Sequence, residues 1–163
     1  MRLRIAANPA FPEVADARAP WFAFLVRLAA ELGPGERWVE LSFLDDAQMR
    51  RLNRDWRGKD GPTDVLSFGY GEDGGSALPA EEDLEGEILV SIETARRQAA
   101  AAGHSLAEEV SVLAIHGLCH ILGHDHETDA EAAAMDAVEQ PLRRRIAAFF
   151  AAPKRGIDPW TEP

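Results

Sequence analysis

Two hydrophobic periods alternate along the chain. In residues 37–44, Val39, Leu41 and Phe43 fall on one side and Glu40 and Ser42 on the other, which predicts a strand. Asp64–Phe68 and Glu87–Ile92 predict two more, and residues 2–6 a short first strand, broken by Asn8-Pro9 and Phe11-Pro12. Helical spacing fills the intervals. Trp21, Leu25, Leu28 and Leu32 mark a helix from about Arg18 to Leu32, stopped by Gly33-Pro34-Gly35. Asp45 or Asp46 is placed to cap a helix through about Asp55, with Met49 and Leu52 inward and the arginines outward. Thr94–Ala102 is an alanine-rich helix ending at Gly103. Ser105 with Glu108 opens a helix toward Leu122, and Thr128 with Glu131 repeats the device, with Pro141 expected to kink or break the helix that follows. Gly58–Pro62 and Gly69–Gly86 read as loops. Helices and strands mix without strict alternation, which gives an α/β (α+β) class and one small domain over residues 1–152, with 153–163 an irregular tail.

Composition narrows the function. At 163 residues and 46% hydrophobic the chain has the balance of one ordinary globular domain. Its longest apolar run, Trp21–Val26, is too short to span a bilayer, no secretory leader opens it, and a single cysteine forms no internal disulfide. The expectation is a cytoplasmic protein without membrane contact. The net charge of −11 argues against non-specific nucleic-acid binding, but the charges are grouped. Residues 72–87 carry seven acids and residues 125–139 six, neither block holding a base. Arg50, Arg51, Arg54, Arg57 and Lys59 form a basic island between them, with Arg50, Arg54 and Arg57 near one helical stripe.

Four of the five histidines lie within the eleven residues His116–His126. His116 and His120, about 40° apart around a helix, point to one side, and Gly123 can end that helix in a left-handed turn. The returning chain can then bring His126 to the same point. Three imidazoles with an open fourth position are the ligand set of a catalytic zinc, so one Zn2+ ion at the end of the helix is expected on His116, His120 and His126. His124 is the spare, Cys119 a core residue, His104 a surface residue, and Asp125 either orients an imidazole or caps the turn. The same histidine spacing occurs in metzincin proteases, which place a glutamate base directly after the first histidine. Here that residue is Gly117.

The segment His116–His126 resembles the HGxLHLxGxDH signature of the YbeY family of bacterial endoribonucleases, the rRNA maturation factors. Leu52–Asp60 is similar to the family's LN-x-x-(aromatic)-R-x-x-D segment, and Pro62–Phe68 to its PTDVLSF strand. Gly86-Glu87-Ile88 stands where the family has Gly-Asp-Ile. The resemblance spans about residues 37–140. It implies a small four-stranded sheet flanked by helices, zinc on the three histidines, and the family's functional arginine at Arg57. It also implies cleavage of single-stranded RNA in 16S rRNA 3′-end maturation and ribosome quality control, with the rRNA precursor and the ribosome or small-subunit proteins as partners. A guanidinium at position 57 would clamp phosphate oxygens with a charge that does not titrate. Two other functions compete: a zincin-like metallopeptidase, and a non-catalytic ribosome assembly factor with a structural metal.

Overall fold

The computed structural model describes residues 1–33, 35–70 and 83–152. In chain order the elements are β1 (Arg2–Ile5), α1 (Pro20–Leu32), β2 (Trp38–Leu44), α2 (Asp46–Arg57), β3 (Val65–Gly69), β4 (Leu84–Ser91), α3 (Ile92–Ala102), α4 (Leu106–Ile121) and α5 (Asp129–Ala151). The sheet order is β1-β2-β4-β3, with β1, β2 and β4 parallel and β3 antiparallel on the edge. The fold is thus the mixed, helix-flanked sheet that the sequence leads one to expect.

Side-chain alternation assigns the two faces. Val39, Leu41 and Phe43 of β2 and Ile88 and Val90 of β4 point into the main core, where they meet Leu25 and Leu28 of α1 and Ile115 and Leu118 of α4. α3 and α5 pack onto α4 from outside. In the β3–β4 register Ser67 lies opposite Ile88 and Phe68 opposite Glu87, so Phe68 points away from α4. On that second face lies α2, whose Trp56 meets Phe68 edge to face at 6.4 Å. α2 buries only Met49 and Asn53, so its cover over the sheet is thin.

The stretches that resemble the family serve this frame. Asn53 is buried and its Nδ2 donates to the Gly61 carbonyl at 2.8 Å, fixing the loop after α2. Asp64 starts β3, accepting from the Val65 N–H at 2.8 Å and from Gln98 at 3.2 Å. Gly86 and Gly117 let the layers close. A Cβ on Gly86 would stand 2.6 Å from the Phe68 carbonyl, and one on Gly117 would stand 3.0 Å from Ile88.

Two expectations need correction. Residues 84–86 belong to β4 rather than to the loop, because Leu84 and Gly86 pair with Trp38 and Val39 of β2 and Gly86 also pairs with Gly69 of β3. The 71–82 part of that loop and the tail at 153–163 lie outside the described residues. Pro141 does not break α5, which runs unbroken through it from Asp129 to Ala151. Pro141 itself is exposed, while Met135, Leu142 and Ile146 are buried on the other side of the helix. Packing of those residues and stacking of Phe149 on Phe24 at 4.4 Å hold both halves, which offsets a proline cost of about 3 kcal/mol.

Candidate metal centre

α4 carries the first two histidines across the edge of the sheet. Gly117 rests on Ile88 and Ile121 approaches Gly86, so the turn from His116 to His120 lies over the lower half of β4. The helix ends as Gly123 adopts φ +94° and the His124 N–H donates to the Cys119 carbonyl at 3.0 Å. Asp125 accepts the His126 N–H at 2.8 Å, so its carboxylate shapes the turn. That reversal brings His126 back over the helix.

The ligand atoms of His116, His120 and His126 lie within 4.8 Å of one another. His116 Nε2 and His120 Nε2 are 3.1 Å apart. Two nitrogens bound tetrahedrally at 2.0–2.1 Å would be about 3.3 Å apart, so the pair already has the spacing of zinc ligands. Among the described residues no further histidine, cysteine or carboxylate joins the group. His124 is outside the group; its backbone N–H closes the helix end on Cys119.

A residue that sequence reasoning missed orients the first histidine of the group. Glu139 of α5 is 4% exposed and accepts from His116 Nδ1 at 2.7 Å and from Arg143 at 2.8 Å. A carboxylate only accepts, so Nδ1 carries the proton and the Nε2 lone pair faces the other two rings. Burial alone would raise the Glu139 carboxyl. The hydrogen bond from His116, with the charge and hydrogen bond of Arg143, outweighs burial and holds it below the ordinary carboxylate range. For His120, burial and then the neighbouring His116 lower the pKa, which favours the neutral, metal-binding form. The sequence did hold a signal for Glu139: it falls on the Met135–Leu142–Ile146 stripe, where an apolar residue is expected.

The remaining candidates separate. Cys119 is buried and its thiol is pushed up to about 11, first by burial and then by Glu139, so it is a packing residue. His104 is not a free surface residue; it is half-buried, with one ring nitrogen on Glu109 and the other facing Glu108. Glu87 accepts from the Tyr70 hydroxyl on the face away from α4. A side chain at position 117 would run into Ile88, so it could not reach the histidines as a base.

Arg57 ends α2, exposed and on the opposite face of the sheet from α4. Among the described residues it makes no hydrogen bond or ion pair, with the histidines or otherwise. Its neighbour Trp56 meets Phe68, whose register partner Glu87 lies between Gly86 and Ile88. The end of α2 that carries Trp56 and Arg57 is therefore at the Phe68–Glu87 level of the sheet, on the face opposite α4. The basic island is smaller than its residue count, because Arg50 pairs with Asp60 at 2.9 Å and Arg54 with Asp55 at 3.4 Å.

Comparison with known proteins agrees with this geometry. The family model for Endoribonuclease YbeY matches residues 18–147. An Endoribonuclease YbeY of Moorella thermoacetica is 48% identical over 118 residues, covering 70% of this chain and 76% of that protein. One from Geobacillus thermodenitrificans is 43% identical over 131 residues, covering 75% and 82%. One from Thermus thermophilus is 48% identical over 107 residues, covering 66% and 75%. The solution structure of TM1509 from Thermotoga maritima shares the fold, with a TM-score of 0.58 and 23% identity over 98% of this chain and 99% of that one. Sheet, histidine turn and sequence lead to one assignment: the chain belongs to the YbeY family of endoribonucleases.

Proposed function

We propose that this chain is a zinc-dependent, single-strand-specific endoribonuclease of the cytoplasm. Its role would be 16S rRNA 3′-end maturation and ribosome quality control, and its substrate the rRNA precursor met on or beside the ribosome or its small-subunit proteins. One observation carries the reading: three imidazoles converge within 4.8 Å, with no fourth ligand closing the group among the described residues. A structural metal would call for a closed set, and a metallopeptidase for a base near the ligands.

His116, His120 and His126 would hold the ion, whose chemistry when bound is Lewis-acid stabilisation of charge at a scissile phosphate. Glu139 keeps the His116 Nε2 lone pair turned toward that point. Arg57 is the proposed catalytic cation, gripping phosphate oxygens bidentately. Its exposure, its freedom from ion pairs and its place at the Phe68–Glu87 level of the sheet support that role.

The test combines metal and cleavage. The purified protein is expected to contain about one zinc by elemental analysis and to cut single-stranded RNA but not the same sequence in a duplex. His120→Ala is expected to lose both properties, because two imidazoles hold the ion poorly. Full zinc in that variant would remove the metal assignment, and cleavage unaffected by the substitution would remove the mechanism.

A further inference from the structure

Only two large apolar side chains are conspicuously exposed among the described residues, Trp56 at 41% and Leu122 at 37%. Trp56 is the unusual one, since it lies in the last turn of a helix that buries little else. Its ring is not loose. It stands at 74° to Phe68 with centroids 6.4 Å apart, so the ring is braced against the sheet while 41% of the residue faces water. α2 stops at Gly58, two residues later, so no further helical turn follows it.

The charges around this ring select its ligand. Arg50 and Arg54 are engaged by Asp60 and Asp55, whereas Arg51, Arg57 and Lys59 are exposed and make no ion pair among the described residues. Cations without an ion pair among the described residues thus adjoin Trp56 in sequence, Arg57 directly and Lys59 in the loop that follows, on a chain whose net charge is −11. A flat apolar surface beside free guanidinium and ammonium groups matches a nucleobase with its phosphates. An apolar protein partner would leave those cations unanswered.

We infer that the Trp56 indole is a stacking platform for one base of a single-stranded RNA, while Arg57 and Lys59 meet the adjoining phosphates. This rests on the nuclease reading above and adds a substrate-binding residue to it. Stacking on an indole is tolerant of sequence and needs an unstacked base, so the platform contributes to single-strand preference. The strand would then pass around the free edge of β3 to the histidine turn on the other face.

The experiment uses the full chain and a labelled single-stranded oligoribonucleotide. Affinity is read by anisotropy before cleavage sets in, and KM and kcat are measured on the same oligonucleotide. Trp56→Leu keeps apolar bulk against Phe68 but removes the flat π surface. It is expected to weaken affinity about 5- to 150-fold, in line with the usual range for one stacked base. Trp56→Phe should recover most of that loss, kcat should stay within about twofold, and bound zinc should not change. Replacing the contacted base by an abasic residue should cost wild type about what Trp56→Leu costs, and should cost the variant little more. A folded Trp56→Leu protein with wild-type affinity would overturn the platform and leave the nuclease reading intact. The same result joined to lost co-sedimentation with small ribosomal subunits would make Trp56 a protein anchor and equally overturn it. A wild-type protein that binds no single-stranded RNA would overturn both.

Discussion

Removing Glu139 tests the metal centre and the fold together. Glu139→Ala deletes two charge-assisted hydrogen bonds, at 2.7 Å to His116 and 2.8 Å to Arg143. Stripping one member from a fully buried pair costs about 3–5 kcal/mol. Here the surviving side chains are 27% and 40% exposed and can recover water, which places the loss near about 1–3 kcal/mol. At about 2–4 °C per kcal/mol for a chain of this size, the metal-free protein should melt about 3–10 °C lower. Zinc affinity should fall about 10- to 100-fold, because the His116 ring loses the acceptor that fixes its tautomer. Glu139→Gln should fall between, since its amide oxygen still accepts from His116 while its NH2 faces Arg143. The carboxyl is held low in the folded state, so its contribution is present above the unfolded carboxylate pKa and is lost as pH falls through the folded value. The wild-type advantage over Glu139→Gln should therefore shrink in acid. Calorimetry and zinc titration of the three proteins are the assays. A Glu139→Ala protein with unchanged melting temperature and unchanged zinc affinity would refute the role.

Gly117→Ala should destabilise the fold by about 1 kcal/mol, because its Cβ would meet three Ile88 atoms at 3.0–3.2 Å and that overlap exceeds the helix-propensity gain; a higher urea midpoint would contradict this. His124→Ala should retain zinc by elemental analysis, and a loss matching that of His126→Ala would show the wrong third ligand. Arg57→Lys keeps the charge but not the fork, so kcat should fall more than RNA affinity; equal values for both proteins would return Arg57 to the surface. With Arg51, Arg57 and Lys59 the unpaired cations of the island, the log–log salt slope for RNA binding should be about −2, and one steeper than about −4 would place the binding surface elsewhere.

Local signals were the readable part of this sequence. The caps at Asp45 and Thr128 and the stop at Gly103 each rest on side-chain or backbone chemistry within a few residues, and each occurs in the fold. The histidine cluster was readable for the same reason, since a helix turn and a glycine reversal span only eleven residues. What lay beyond reach depended on contacts distant in sequence. Glu139 lies in an acidic block and becomes a histidine-orienting group only because α5 packs against α4, 23 residues from His116. Gly86 reads as a loop glycine, yet β4 needs it for the approach of Ile121 and Phe68. The placement of α2 on the opposite face from α4 follows from the β3–β4 register, which no single segment encodes.

The uneven thickness of the two layers has a dynamic consequence. α4 is held by α1, α3, α5 and the sheet, with nine of its residues buried, whereas α2 buries two side chains and is tied at its start by Asp46, which accepts from Ser91, Thr94 and Arg97. Local opening draws on the parts of a structure with least buried apolar contact, so amides of α2 are expected to exchange ahead of those of α4. His116 and His120 therefore ride on the most deeply packed helix among the described elements and His126 on the turn that follows it, whereas Arg57 and Trp56 end a thinly covered one. A substrate strand held from both sides of β3 would meet a rigid anvil on one side and a compliant hand on the other.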